Sequence, residues 1–421
     1  MDEFVKRKLD GIEYIPVKEK PKVKKALSKK NESHDKPGAV IIEGHVQGLS
    51  NTRSLGEAGI PVYVVDKTDC IARYSKYCKK FFRCPDFILD EFVDFLINLA
   101  VYEKISNWVL VPSNDHSVYT ISKHKERLLD YYKVITPGLG IIENIYDKAK
   151  LIEKANQVNV PVPLTQIFRS GDEPLKDGIN YPVITKGRNG LSFYKAIGRK
   201  ALLAHNEKEL RKHIALIKKK YFLNDTLAQE LIPYNGSNHT ISFTAFCVDG
   251  EIKVHWSGVK LREHPPGLGT ATFAKSIDNN NVCVEQSIPL LKKLKYTGVC
   301  EVEYLWDPGT EEYKLIEINP RTWLWVGLAR ECGVDYAKMI YSYVNGYPLV
   351  CSQSAFEEKY WINPVTDIVY STFNMVKGKL NPLTYLRSLF KRSKVNALFM
   401  KGDIKPGWIY VSKIIRFIKD R

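Results

Sequence analysis

The chain has 421 residues, is 44% hydrophobic and 26% charged, and carries a formal net charge of +16. That length exceeds one ordinary core and the composition is that of a folded, water-exposed protein of two or three lobes. No run approaches the roughly 18 apolar residues of a membrane span, and the first twenty residues lack the apolar centre of a secretory leader, so a cytoplasmic protein is expected. Eight scattered cysteines with no CxxC pair argue against a disulfide framework and show no metal-ligand spacing.

Residues 1–37 are lysine-rich and poor in large apolar side chains, which predicts a flexible basic arm. From 38 the pattern changes. AVIIEG at 39–44 reads as a short buried strand, a loop with Gly44 and Gly48 follows, then a helix over 51–58 and a second buried strand, IPVYVVD, at 60–66. A helix around 91–102 and the strand NWVLVPSND at 107–115 repeat the βαβ pattern of a parallel sheet. His45, Asn114, Asp115 and His116 fall at strand ends, where open α/β sheets bind ligands, although a polar cap on a βα turn reads equally well. The glycine spacing is GxxxG rather than GxGxxG, so Asp66 at a strand end is a weak nicotinamide signal.

Beyond Tyr146 a helix with Asp147 in its first turn is expected, then YPVITKGRNG at 181–190, a lysine-rich helix at 207–220 and TLAQELIPYNG at 226–236. Several antiparallel strand candidates follow, two of them joined by VDGE at 248–251 with Asp-Gly at the turn. An α/β lobe therefore precedes an α+β lobe.

The segment GVCEVEYLWDPGTEEYKLIEINPR at 298–321 carries the strongest chemical signal. A hairpin would set Glu303 and Glu317 on one side, with Asn319 two residues further along the same face. Two carboxylates and an amide oxygen suit Mg²⁺, and carboxylates inside apolar strands are costly unless paired or metal-bound. Two outward-facing strand glutamates fit the same spacing. Lys186, at a strand end before GRNG, and Lys148, after a polar turn, are candidate phosphate contacts or plain surface lysines.

The order Asp147-Lys148, Ile184 to Gly187, QELI at 229–232, VEY at 302–304 and IEINPR at 316–321 resembles the ATP-grasp superfamily. The stretch VKLREHPPGLGTATF at 259–273 is similar to one in the D-aspartate ligase-like carboxylate–amine ligases. The resemblance implies an ATP-grasp fold, α/β and α+β, with a Rossmann-like pre-ATP-grasp domain at 38–140 and an ATP-grasp domain at 141–350. Within the latter it implies a central lobe of about 160–228 and a C-terminal lobe of about 229–350. A basic amphipathic appendage would occupy 351–421.

It further implies that Lys148, Lys186 and the loop from Gly187 to Gly190 hold ATP phosphates. Gln229, Glu230 and Ile232 would form the adenine hinge, and Asn238 would stand near the ribose. Glu303, Glu317 and Asn319 would bind Mg²⁺, with Mn²⁺ as an alternative ion. Lys260, Arg262 and Arg321 would serve the transferred phosphoryl group and the acid substrate. The implied reaction activates a carboxylate as an acyl phosphate and joins it to an amine.

Two features depart from the family pattern: Asn238 stands where relatives place an acid, and bulky Phe193 and Tyr194 follow GRNG. Alternatives are an ATP-binding regulatory relative without turnover, and a Rossmann oxidoreductase. Trp323 and Trp325 read as core or as the wall of an acceptor pocket. The last 47 residues, from 375, hold twelve Lys/Arg against two Asp beside apolar stripes. This suggests peripheral contact with an anionic membrane, or a helical appendage with a solvated basic face. Small-molecule acid and amine substrates, no nucleic acid and a homodimer complete the expectation.

Overall fold

The computed structural model describes residues 36–171, 173–233, 238–264, 269–351 and 356–419, with the backbone alone at 191 and 415–419. The expected arm at 1–37 lies almost wholly outside these residues. So do 234–237 and 265–268, which belong to the segments after the hinge and around HPPGLGTA.

Short strands build the first sheet, apolar and almost wholly buried at its centre and more polar at its edges: β1 (Ala39–Ile42), β2 (Val62–Asp66), β3 (Cys78–Arg83), β4 (Trp108–Pro112) and β5 (Tyr132–Lys133), in the order β3-β2-β1-β4-β5 with every pair parallel. Helices α1 (Val46–Glu57), α2 (Asp90–Tyr102), α3 (Asp115–Lys123) and α4 (Lys125–Leu129) connect them. Helix α1 begins five residues before the expected start, so Gly48 lies within it and not in a loop. A Cβ there would stand 2.0 Å from the Glu43 carbonyl oxygen, so only glycine lets the helix close on the strand end. Asn114 is the N-cap of α3, accepting from Ser117 N at 2.9 Å. Asp66 accepts from Gly44 N at 2.9 Å, a structural use for a residue weighed as a ribose contact.

The helix expected from 146 onward is α6 (Lys148–Asn156), which starts just after Asp147, and a further helix, α5 (Leu139–Tyr146), precedes it. The Asp147 carboxylate accepts from Ala149 N and Lys150 N, capping α6. Next comes a small antiparallel sheet, β6-β9-β7-β8, of β6 (Thr165–Ile167), β7 (Val183–Gly187), β8 (Leu202–Ala204) and β9 (Thr226–Glu230). Helices α7 (Gly190–Ile197) and α8 (Glu207–Lys220) cover it. Leu210, Ile214 and Ile217 form the buried stripe of α8, and lysines crowd its last turn, where the helix dipole favours cations.

The third sheet has seven strands, β14-β13-β10-β11-β12-β15-β16. Its central members are β10 (Thr240–Val248), β11 (Glu251–His264), β12 (Thr270–Ser276), β13 (Gly298–Asp307) and β14 (Glu312–Asn319). Asp249 and Gly250, both at positive φ, make the expected tight turn between β10 and β11. One face packs on α9 (Val282–Leu294) through Phe243, Val302, Tyr304 and Ile318. Toward its far end the opposite face carries Trp256 and Gly258, on which Trp323 and Trp325 stack in one core with β1, α1, α10 (Val326–Glu331) and α11 (Tyr336–Val344). Both tryptophans are therefore core.

Residues 351–421 are more than an appendage. They supply β15 (Tyr360–Ile362) and β16 (Lys394–Asn396), which extend the large sheet, with helices α12 (Pro364–Val376), α13 (Pro382–Leu389) and α14 (Lys405–Lys419). Arg53 of α1 and Asp403, both buried, join this region to the first sheet. Among the described residues no helix is long and apolar enough to cross a membrane.

Candidate functional site

The period-two alternation of β13 sends Val302 and Tyr304 into the α9 core and Glu301 and Glu303 to the other face. Pairing sets Glu303 opposite Glu317 and Glu301 opposite Asn319, and a bulge just beyond Glu303 leaves Ile316 as the extra residue. The expected juxtaposition of Glu303, Glu317 and Asn319 is thus present. Glu301 was missed, although its position two residues before Glu303 puts it on the same face.

Glu301, Glu303 and Asn319 are buried and Glu317 is exposed. Asn319 Nδ2 donates to Glu301 Oε2 at 3.0 Å and to Glu303 Oε1 at 3.3 Å, while Ser242 Oγ donates to Glu301 Oε1 at 2.8 Å. Lys260 Nζ, from β11, donates to Glu303 Oε2 at 2.7 Å. Burial, then the charge of Glu303, pushes the Glu301 carboxyl well above its ordinary range despite Lys260. Burial pulls Lys260 down, but Glu303, Glu301 and Glu263 outweigh it and hold the ammonium above its usual value.

Arg321 bridges to the first sheet. Its Nε and Nη2 donate to the two Asp115 oxygens at 2.8 and 3.0 Å, and Nη2 also to Asn319 Oδ1 at 3.2 Å. Burial opposes its charge, but Asp115 overrides that. Asp115 starts α3, whose cap Asn114 fixes the turn, so the carboxyl edge of the first sheet reaches the large sheet here. Nearby, Asn51 donates to Thr322 Oγ1 at 2.9 Å, and Gln47 Nε2 donates to Ser113 O and Glu43 Oε2. Burial, followed by Asp66, pushes Glu43 up to about 7. His45 and His116 are both lowered, by burial first.

Lys186 at the end of β7 lies near Lys148 at the start of α6. Lys148 N donates to Arg188 O at 3.1 Å, and the Arg188 guanidinium is paired with Asp147. This docks the β7–α7 turn on the start of α6. Burial pushes Asp147 up, but Arg188 and the two capping N–H groups hold it below the ordinary carboxylate range. A Cβ on Gly190 would sit 3.5 Å from Lys148 Nζ. On Gly187 it would strike Phe193 Cβ at 2.4 Å, so bulky Phe193 is packed beneath the turn while Tyr194 points to solvent.

Lys186 Nζ donates to Gln229 Oε1 at 2.7 Å, and Gln229 Nε2 to Thr165 Oγ1 at 2.8 Å. Burial, then Lys148, lowers Lys186 to about 7, with Glu317 opposing. The Glu230 side chain accepts from Leu164 N at 2.8 Å and from Lys314 Nζ at 2.7 Å, tying β9 to β14. Ile232 is buried just past β9.

Two expected site residues are placed differently. Arg262 does not join the carboxylate group. Register irregularities in β11 on either side of Arg262 accompany its turn toward α12 and α13, where it binds Asp367 at 2.8 and 2.7 Å and Ser388 at 2.9 Å. Asn238 donates its amide to Pro233 O at 2.8 Å and Trp306 O at 3.2 Å, bracing the segment after the hinge.

Among the described residues no three His, Cys, Asp or Glu side chains close on one point. Instead, Lys260 and the Asn319 amide supply the positive partners. The group nonetheless fits a hard cation: paired cross-strand carboxylates, a buried Glu301 short of counter-charge, and an amide that presents oxygen once flipped.

Residues 274–351 match the family described as carbamoyl-phosphate synthase L chain, ATP binding domain. The D-aspartate ligase of Enterococcus faecium is 26% identical over 294 residues, 66% of this chain and 69% of that protein. The carbamoyl phosphate synthase large chain of Saccharolobus islandicus is 22% identical over 328 residues, 74% of this chain but only 28% of that one.

Among solved structures, biotin carboxylase from Campylobacter jejuni gives a TM-score of 0.60 at 18% identity, covering 76% of this chain and 74% of that chain. The L-amino acid ligase of Bacillus licheniformis gives 0.56 at 14%, covering 73% and 74%. The fold is the mixed α/β ATP-grasp fold, and the chain is similar to ATP-grasp enzymes of the carboxylate–amine ligase type.

Proposed function

We propose that this protein is an ATP-dependent ligase that activates a carboxylate as an acyl phosphate and joins it to an amine, releasing ADP and phosphate. One observation carries the reading. Glu317 of the cross-strand pair Glu303–Glu317, with Asn319 beside it, lies within electrostatic reach of Lys186 on the small sheet, Lys186 in turn lies near Lys148 at the start of α6, and Lys260 and Arg321 flank the carboxylates. Phosphoryl transfer to a carboxylate needs such positioning and charge neutralisation more than a nucleophilic side chain.

In this reading Lys148, Lys186 and the Gly187-to-Gly190 turn grip the phosphates, and Gln229, Glu230 and Ile232 line the adenine. Glu303, Glu317 and Asn319 hold Mg²⁺, or Mn²⁺ in its place, which neutralises phosphate charge when bound. Lys260 and Arg321 steady the phosphoryl group and the acyl phosphate. Arg262 is a bracing residue for α12 and not a phosphate contact. The parallel unit at 38–140 is a Rossmann-like pre-ATP-grasp domain. Its edge, with Glu43 and Asp115 beside Arg321, receives a small substrate. A homodimer, a cytoplasmic location and peripheral contact of the C-terminal region with an anionic membrane belong to the same reading.

ADP and phosphate release from Mg-ATP across a panel of amino acids and small acids tests it, D- and L-aspartate included. Release that requires both an acid and an amine, and is lost in Glu317→Ala, is expected. Release needing no acid, or unchanged in the variant, overturns it.

A second reading, ATP binding without turnover, is favoured by Asn238, an amide where relatives place an acid, with its N–H groups directed to Pro233 O and Trp306 O. Its signature is a thermal shift with Mg-ATP and no ADP release with any pair of substrates.

A further inference from the structure

Helix α12 packs Val365 against the core and stacks Tyr370 on His264, but its fully buried side chains are the polar Asp367 and Ser371, the first held by Arg262 and by Thr272 Oγ1 at 2.8 Å. Its apolar residues Ile368, Val369, Phe373 and Val376 point to solvent instead, with Val376 82% exposed. The spacing 368, 369, 373, 376 is one stripe of a 3.6-residue helix, so these side chains share a face. Helix α13 adds a stripe of the same kind, Leu383 and Leu386 with Phe390 at its end, the last also 82% exposed. Isolated exposed apolar residues are ordinary. Seven within 23 residues, on two successive helices of which the first buries Asp367 and Ser371, mark a surface covered by something apolar.

The charge around this face says what covers it. Residues 368–402 contain seven Lys/Arg and no Asp or Glu. Lys377, Lys379, Arg387 and Lys391 are exposed, and Lys377 Nζ stands over the Phe373 ring, 4.1 Å from its centre, so cations border and touch the apolar stripe. A second copy would set these cations against their own kind. The chain's segment 1–35 holds ten Lys/Arg against seven Asp/Glu, so it offers no acidic complement either. An anionic lipid surface satisfies both features: acyl chains take the stripe and headgroups take the cations.

We propose that the α12–α13 face is a peripheral membrane-docking surface selective for anionic lipid. This narrows the peripheral contact of the preceding reading to one face and does not depend on the chemistry of the site.

The test is flotation of the full chain with vesicles of phosphatidylcholine alone, or with roughly a third phosphatidylglycerol. Binding to the anionic vesicles at least about tenfold above the neutral ones, weakened by salt, is expected. Val376→Asp with Phe390→Asp, and separately Lys379→Glu with Lys391→Glu, should each lower binding about tenfold while the thermal midpoint stays that of the wild type. No flotation, equal flotation on neutral lipid, or flotation indifferent to both variants overturns the proposal. So does a dimer that Val376→Asp with Phe390→Asp turns into a monomer, because a second copy then covers the face. A chain that floats but releases no ADP keeps this inference and loses the ligase reading.

Discussion

Lys260 Nζ and Glu303 Oε2 meet at 2.7 Å on one face of the large sheet, reaching over β10 from β11 and β13 on either side of it, both side chains buried. Glu301 shares the site with its carboxyl pushed up by burial and by Glu303. The lysine is therefore the direct counter-charge of Glu303, and it acts on Glu301 only at longer range. Removing it leaves Glu303 buried and unpaired, and losses of that kind are about 3–5 kcal/mol. Lys260→Met should lower stability to urea by that order. Lys260→Met with Glu303→Gln should recover much of it, because the uncompensated charge is gone. A double-mutant cycle reads the coupling. Additive losses would show that the two groups do not act as a pair.

Lys186 provides a test of phosphate contact without turnover. Burial and the nearby Lys148 lower it from 10.5 to about 7, so at pH 8.5 the free protein holds it largely neutral. An anionic phosphate alongside favours the charged form and raises the value again. Binding of Mg-ATP at pH 8.5 should then take up close to one proton, and at pH 6 almost none. Calorimetry in two buffers of different ionisation enthalpy measures this. Lys186→Met should abolish the uptake, and a wild-type protein that takes up none at pH 8.5 does not use Lys186 on the phosphates.

The sequence made the elements legible where the period was strong, and the site where the period was two. Glu303, Glu317 and Asn319 could be set on one face by counting along strands, and pairing adds only the bulge at Ile316. Asp147 read as a first-turn acid but is the cap that separates α5 from α6, because its carboxylate satisfies two N–H groups at a helix boundary that periodicity does not reveal. Arg262 was assigned by motif, and no local pattern shows that Asp367, 105 residues away, claims its guanidinium. Glu43 carried no sequence signal. Its environment comes from Asp66, Asp115 and Arg321, three separate elements that only the fold brings together.

That environment makes Glu43 a contributor to pH-dependent stability. Its carboxyl is raised from 4.5 to about 7 by burial, Asp66 and Asp115, with Arg321 and Lys67 opposing. The folded protein thus binds a proton that the unfolded chain has released between those values. The stabilisation is fully present below about 4.5 and is lost as pH rises through about 7. Glu43→Gln should be more stable than the wild type at pH 8, by on the order of 1–3 kcal/mol, with the gap closing toward pH 5. Urea melts at pH 5, 6.5 and 8 measure it. Parallel curves for the two proteins would mean that Glu43 is not held in this way.

The tie between the first sheet and the C-terminal region rests on Asp403. Its Oδ2 accepts from Arg53 Nε at 2.9 Å and from Ser75 Oγ at 2.8 Å, and its Oδ1 from Lys76 N at 2.8 Å. Arg53 Nη2 also reaches Leu398 O and Asp403 O, each at 2.8 Å, so the guanidinium is enclosed by the segment it anchors. Asp403→Ala leaves that cation buried without its counter-charge, a loss of about 3–5 kcal/mol. The damage should appear first where the contact is: protease should cut around 397–404 before the sheets unfold, because β16 and α14 are fixed to the first sheet at this point. Arg53→Met with Asp403→Ala should be milder than Asp403→Ala alone, since it removes the stranded charge as well. Limited proteolysis followed over time, with the urea midpoint of each variant, decides between this and a simple surface ion pair, for which Asp403→Ala would change neither the cleavage pattern nor the midpoint.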